Sequence, residues 1–190
     1  MKRFWMNTCA TLLLLSLSHL SLAHFHYEAA VTTTLQTSNT ELTALNISWV
    51  YDTEVSQMML SESENLKTFA DGLMHDLAEL NYFTQLTLNN KPLQTAAPTQ
   101  YKLEKIGKGE DTQLKLSFTL PLKKPVSLEG KTRLDIDHTD SSGSAILFYE
   151  STNNIRFSKS IAPICIADIK EIPDFKHGES PQEVAVACEI

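Results

Sequence analysis

His24 and His26 stand two residues apart in "AHFHYEA", residues Ala23 to Ala29. On a strand that spacing sends both imidazoles from one face. The chemistry it offers is metal coordination. If the chain is cut between Ala23 and His24, His24 also presents a free α-amine, whose ordinary pKa of about 7.7 to 8.0 lets it act as a neutral donor near physiological pH. Amine and imidazole of one residue chelate, and His26 adds a third nitrogen. Such donor sets suit zinc, nickel or copper rather than calcium or magnesium. The bland alternative is two exposed polar residues at a frayed terminus.

Carboxylates supply the rest of a candidate site. Asp52 and Glu54 follow "SWVY", where a strand pattern gives way to a helical one. They serve either as ligands or as first-turn helix acids, favoured there by orphan backbone N–H groups and the dipole. "LDIDHTD" places Asp135 and Asp137 on one strand face and His138 on the other; carboxylate and imidazole both serve zinc, while the plain alternative is an acidic turn. The expected ligand set is therefore His24, His26 and Asp52, closed by Asp137 or His138. His75 with Glu79, and His177 in a polar loop, read as solvated surface.

The segment before His24 determines whether that terminus exists. Lys2 and Arg3, the apolar run "ATLLLLSLSHLSL" and the small residues Ser21 and Ala23 form the three parts of a secretory signal peptide. Its apolar part is shorter than the ~20 residues that span a bilayer, so residues 1–23 are expected to be removed and residues 24–190 to be a single periplasmic domain, not membrane-embedded. The whole chain has a formal net charge of −7, which becomes more negative once Lys2 and Arg3 leave. That argues against nucleic acid or an anionic membrane as partner. Export leaves Cys165 and Cys188 where disulfides persist, with one intramolecular pairing open to them.

The elements that must position these residues are mostly strands. Period-two alternation in "HFHYEAAVTTTLQT" and "LTALNISWVY", separated by "SNT", reads as a hairpin. A helical period follows over about residues 53–80: Val55, Met58 and Met59 share one face, and Leu66, Phe69, Leu73, Leu77 and Leu80 another. Ser61 and Glu64 form a capping-box pattern that would start the second helix. From Tyr82 on, short strands alternate with turn clusters such as "NNKP", "GKGED" and "TDSSG". The fold expected is mainly β with a helical excursion (α+β), an antiparallel, sandwich-like single domain. The sequence has no GxSxG, no HExxH, no P-loop and no Gly-rich dinucleotide turn, and the chain reads as a non-enzyme.

These residues resemble a family of uncharacterised bacterial periplasmic proteins, catalogued as the periplasmic component of an ABC-type transport system. The family's Ala-His-Pro-His start is matched by Ala23-His24-Phe25-His26, its Trp-x-Phe-Asp element by Trp49-Val50-Tyr51-Asp52, and its Tyr-Phe-Thr strand by Tyr82-Phe83-Thr84. Its Phe-Thr-Leu-Pro-Leu strand appears as Phe118 to Leu122, and its Tyr-Asp-Pro element is matched only at Asp137. Phe25 stands where the family has proline, and the acidic insertion that often precedes the long helix is missing. Members often occur beside nickel, cobalt or zinc permeases, so the resemblance implies a periplasmic protein that binds zinc or nickel and works with a membrane metal permease or ABC transporter component. Copper ranks below these: an oxidase built on an N-terminal histidine brace would need a substrate surface that the sequence does not display. The competing expectation is a metal-free, immunoglobulin-like interaction module that docks on a membrane partner.

Overall fold

The computed structural model describes residues 27–62 and 65–189. The segment expected to be a signal peptide, and both His24 and His26, lie outside the described residues. The chain runs through β1 (Tyr27–Ser38), β2 (Glu41–Tyr51), α1 (Thr53–Glu62), α2 (Leu66–Glu79), β3 (Gln85–Leu88), β4 (Lys91–Pro92) and β5 (Tyr101–Ile106). It continues through β6 (Gln113–Ser127), β7 (Thr132–Asp137), β8 (Ala145–Phe148), β9 (Ile155–Phe157), β10 (Cys165–Glu171) and β11 (Gln182–Cys188).

Two sheets result. The first has the order β5-β6-β2-β1-β8, with β9 also pairing β1, and the second the order β10-β11-β7-β3-β4. Most pairs are antiparallel, as alternation and short turns predict. The exceptions are β8 and β9, which run parallel to β1 along different halves of it. The β1–β2 hairpin turns at Asn39, with φ +55°, a conformation that asparagine tolerates better than most side chains.

Alternate residues fill the space between the sheets. Ala29, Val31, Thr33 and Leu35 of β1, Ile47, Trp49 and Tyr51 of β2, and Leu114 to Leu122 at every second position of β6 are buried against Leu86, Leu134, Ile136, Val184 and Val186 of the second sheet. Trp49 packs edge-on to Phe118, centroids 5.2 Å apart, and stacks with Phe83 at 5.9 Å. The architecture is thus mainly β with one helical excursion. Cys165 and Cys188, directly opposite each other on β10 and β11, are joined as a disulfide. Among the described residues no helix is long and apolar enough to cross a membrane.

Two local expectations are corrected. The second helix does not begin at a Ser61 capping box: its N-cap is Asn65, whose side-chain oxygen accepts from Lys67 N at 2.9 Å and Thr68 N at 3.2 Å. Ser61 belongs to α1 and donates its hydroxyl back to Met58 O at 2.7 Å, the back-bond serine makes within a helix. "NYF" is not strand either. Asn81, Tyr82 and Phe83 all have positive φ, 56°, 54° and 47°, each strained by roughly 1 kcal/mol or more for a side-chain-bearing residue. Burial of both aromatic rings offsets that strain.

Candidate functional site

The start of β1 is held from both sides. On the β2 side, Asp52 N donates to Glu28 O at 3.2 Å, and Glu28 N donates back to Asp52 Oδ2 at 3.3 Å. Asp52 Oδ1 accepts from Val55 N at 2.8 Å. Asp52 is therefore the N-cap of α1 and also a clamp on the first residues of β1. A carboxylate offers about four lone-pair positions, so these two bonds leave acceptor capacity for a cation. Glu54 takes the bland role: it is exposed in the first turn of α1.

On the other side, Tyr27 N donates to Ser144 O at 2.9 Å. The loop leading to Ser144 is organised by Asp140, a buried carboxylate that accepts from Ser142 N, Ser144 N and Ala145 N at 2.8 to 2.9 Å and from Ser142 Oγ at 2.6 Å. Gly143 in this loop has φ +71°, and a Cβ there would lie 1.8 Å from Cε1 of His177. Only glycine admits that ring, so His177 is not a distant loop residue but rests on the segment beside the start of β1. His177 is exposed, as its polar loop predicts; what the sequence does not mark is the glycine it sits on, 34 positions earlier.

Aromatic side chains close the floor. Tyr27 and Tyr51 face each other with centroids 5.7 Å apart. Burial, with the Asp140 carboxylate as a second cause, holds the Tyr27 phenol well above its usual range. Tyr51 is raised by burial and then by Tyr27, and its hydroxyl is buried without a hydrogen-bond partner.

The other two candidate ligands, Asp137 and His138, part to opposite faces of the second sheet, one exposed and one buried. Asp137 ends β7 on the outer face of the second sheet, where Thr139 Oγ1 donates to it at 2.6 Å. It lines an open groove of about 720 Å³ with Gln85, Arg133, Asp135 and Glu183. Arg133 is already paired there, with Asp135 at 2.7 Å and Glu183 at 3.3 Å.

His138, one residue on, faces the opposite way into the core. Its Nε2 lies 2.8 Å from Tyr149 Oη, and its Nδ1 lies 3.3 Å from both Phe83 O and Thr84 Oγ1. Thr33 Oγ1 lies 2.7 Å from the same Tyr149 oxygen. The proton arrangement that satisfies every group is Thr33 donating to Tyr149, Tyr149 to His138 Nε2, and His138 Nδ1–H to Phe83 O. Burial pulls the His138 pKa down to about 4, against a smaller upward pull from the Phe83 carbonyl and Asp137. His138 is a neutral core residue with no nitrogen left for a metal.

Among the described residues no group of three histidine, cysteine, aspartate or glutamate side chains could hold a metal ion. Neither Asp52 nor His177 falls in such a group.

The molecule is therefore a two-sheet β protein whose N-terminal strand begins between a helix-capping carboxylate and a histidine-bearing loop. The chain belongs to the family described as "Protein of unknown function (DUF1007)", whose profile matches residues 9–173. It is also similar to an uncharacterized protein of Haemophilus influenzae (strain KW20 / Rd), 28% identical over 161 residues that cover 80% of this chain and 76% of that protein.

Proposed function

We propose that the protein is a periplasmic accessory protein that binds a divalent transition metal, zinc or nickel, and passes it to or from a membrane metal permease or ABC transporter component. One observation carries this: the backbone of Glu28 is bonded to the Asp52 carboxylate. His26 and His24 precede Glu28 by two and four residues, and extended chain of those lengths spans at most about 7 Å and about 14 Å, which supports the reading. His177 supports the reading from the other side, through its seat on Gly143. Imidazole nitrogens with one carboxylate form the borderline donor set that zinc and nickel favour. With a free amine at His24 the set gains a further nitrogen.

The test is calorimetric titration of exported, mature protein with zinc and nickel, beside the double variant His24→Ala with His26→Ala. At least a tenfold weaker affinity is expected in the double variant, and a smaller loss in His177→Ala. Equal affinity in wild type and double variant sinks the proposal. If neither metal binds and a chelator leaves the melting temperature unchanged, the metal-free docking module takes its place.

A further inference from the structure

We propose that the free edge of β10 pairs with the β10 of a second copy of this chain, antiparallel about a two-fold axis through Ile169, joining the two second sheets into one. The inference is independent of metal binding. β10 is an edge strand, hydrogen-bonded on one side only, to β11. The bonds Glu189 N to Ile164 O and Ile172 N to Pro181 O show that even-numbered residues of this strand turn their backbone groups toward β11. Ala167, Ile169 and Glu171 therefore direct theirs outward, and among the described residues nothing bonds to them. A row of seven residues without proline or bulge is the kind of edge that soluble proteins ordinarily blunt.

The other edges are blunted. β4 is two residues long and contains Pro92. β8 and β9 are short. On β5, Tyr101 reaches across to Asp71 of α2 at 2.9 Å, covering one end.

The side chains of β10 name the partner. Ile166, Asp168, Lys170 and Ile172 lie on one face of the strand, and the two isoleucines are 76% and 40% exposed, Ile166 being the most exposed large apolar residue described. Antiparallel pairing centred on Ile169 sets Ile169 opposite Ile169 and Ala167 opposite Glu171, which are the residues with outward backbone groups. The same register sets Ile166 opposite Ile172 and Asp168 opposite Lys170, each twice. Moving the centre to Asp168 would still pair outward backbone groups, Ala167 opposite Ile169, but would oppose two aspartates and set Ile166 against Lys170. Only one register satisfies hydrogen bonds, charges and apolar contacts together, and a strand complementary to itself in this way fits a second copy in a closed, isologous pair. Opposite-charge and apolar cross-strand pairs are the contacts that stabilise a sheet junction. Lys170 now lies 3.7 Å from Glu183, an exposed pair that need not break.

Sedimentation velocity on the exported protein over a range of concentrations tests the pairing. Wild type is expected to move reversibly from one chain to two as concentration rises. Asp168→Lys sets lysine against lysine and Lys170→Asp sets aspartate against aspartate, so each variant alone is expected to remain a single chain at every concentration. Mixed one to one they are expected to associate, because each supplies the charge the other lacks; the doubly swapped Asp168→Lys, Lys170→Asp chain should regain self-association. All these positions are exposed, and circular dichroism with thermal melting confirms that the fold is kept. A wild type that stays a single chain throughout, a single variant that associates as wild type does, or a mixture that fails to associate overturns the proposal.

Discussion

His138 shows how one residue can look like a ligand and serve as a support. Protonating it inside the core would place a charge among Phe83, Tyr149 and Thr33, and burial is the main reason its pKa falls to about 4. In the unfolded chain it titrates near 6.5. Above pH 6.5 both states are neutral and the contribution to stability is complete. As pH falls from 6.5 toward 4 the unfolded chain takes up a proton that the folded one refuses, so stability drops, by an amount on the order of 3 kcal/mol. Urea unfolding of wild type and His138→Gln at pH 7 and pH 4.5 should show a larger acid loss in wild type, since other groups titrate alike in both. Equal losses would mean that His138 is not held neutral. Its ligand-like setting in "DIDHTD" was legible; its partners were not, because Thr33 and Tyr149 meet across 116 positions of sequence.

At the level of elements, the junction of β1, β2 and α1 rests on Asp52. Its carboxylate satisfies an orphan N–H of α1 and holds Glu28 at once, two uses that a substitution series can separate from metal binding. Asp52→Ala is expected to lower stability by about 1 kcal/mol, the usual cost of losing an N-cap. Asp52→Asn keeps a capping oxygen and should unfold within a few tenths of a kcal/mol of wild type, while the proposed metal site calls for weaker zinc affinity in both variants. Chemical denaturation read beside calorimetry checks the pair, and an Asn variant with wild-type affinity would remove Asp52 from the ligand set. The strain at Asn81 to Phe83 belongs to this scale as well. The chain leaving α2 must reverse into β3, and Phe83 O then accepts from His138 Nδ1 and Thr139 N. Alternating aromatic and polar residues in "NYFTQL" read as strand because a left-handed turn of bulky residues leaves no pattern of its own.

Over the whole molecule a polar clip joins the two sheets and a covalent bond closes the second. The Gln182 side chain of β11 accepts from Tyr149 N at 2.8 Å and donates to Tyr149 O at 3.0 Å, clipping the end of β8 to the second sheet. The disulfide ties β10 to the last strand across 23 positions. Closing a loop of that size stabilises by roughly 3 kcal/mol in the chain-entropy model. Urea unfolding with and without reductant should show a loss of that order, and the same loss should appear in Cys165→Ala with Cys188→Ala. Because β10 is also the proposed pairing edge, reduction is expected to weaken self-association as well.

By itself the sequence determined the β-rich class, the helical excursion after Tyr51 and the cysteine pair. Each of these depends on local periodicity or on there being a single available partner, so short windows carry the information. The tertiary structure alone decided that His138 joins Tyr149 and Thr33 in one buried polar chain, that His177 sits on Gly143 beside the start of β1, and that β10 is left as an open edge. Those outcomes depend on which strands become neighbours. Strand order is set by packing the whole core, and no short window of sequence contains it.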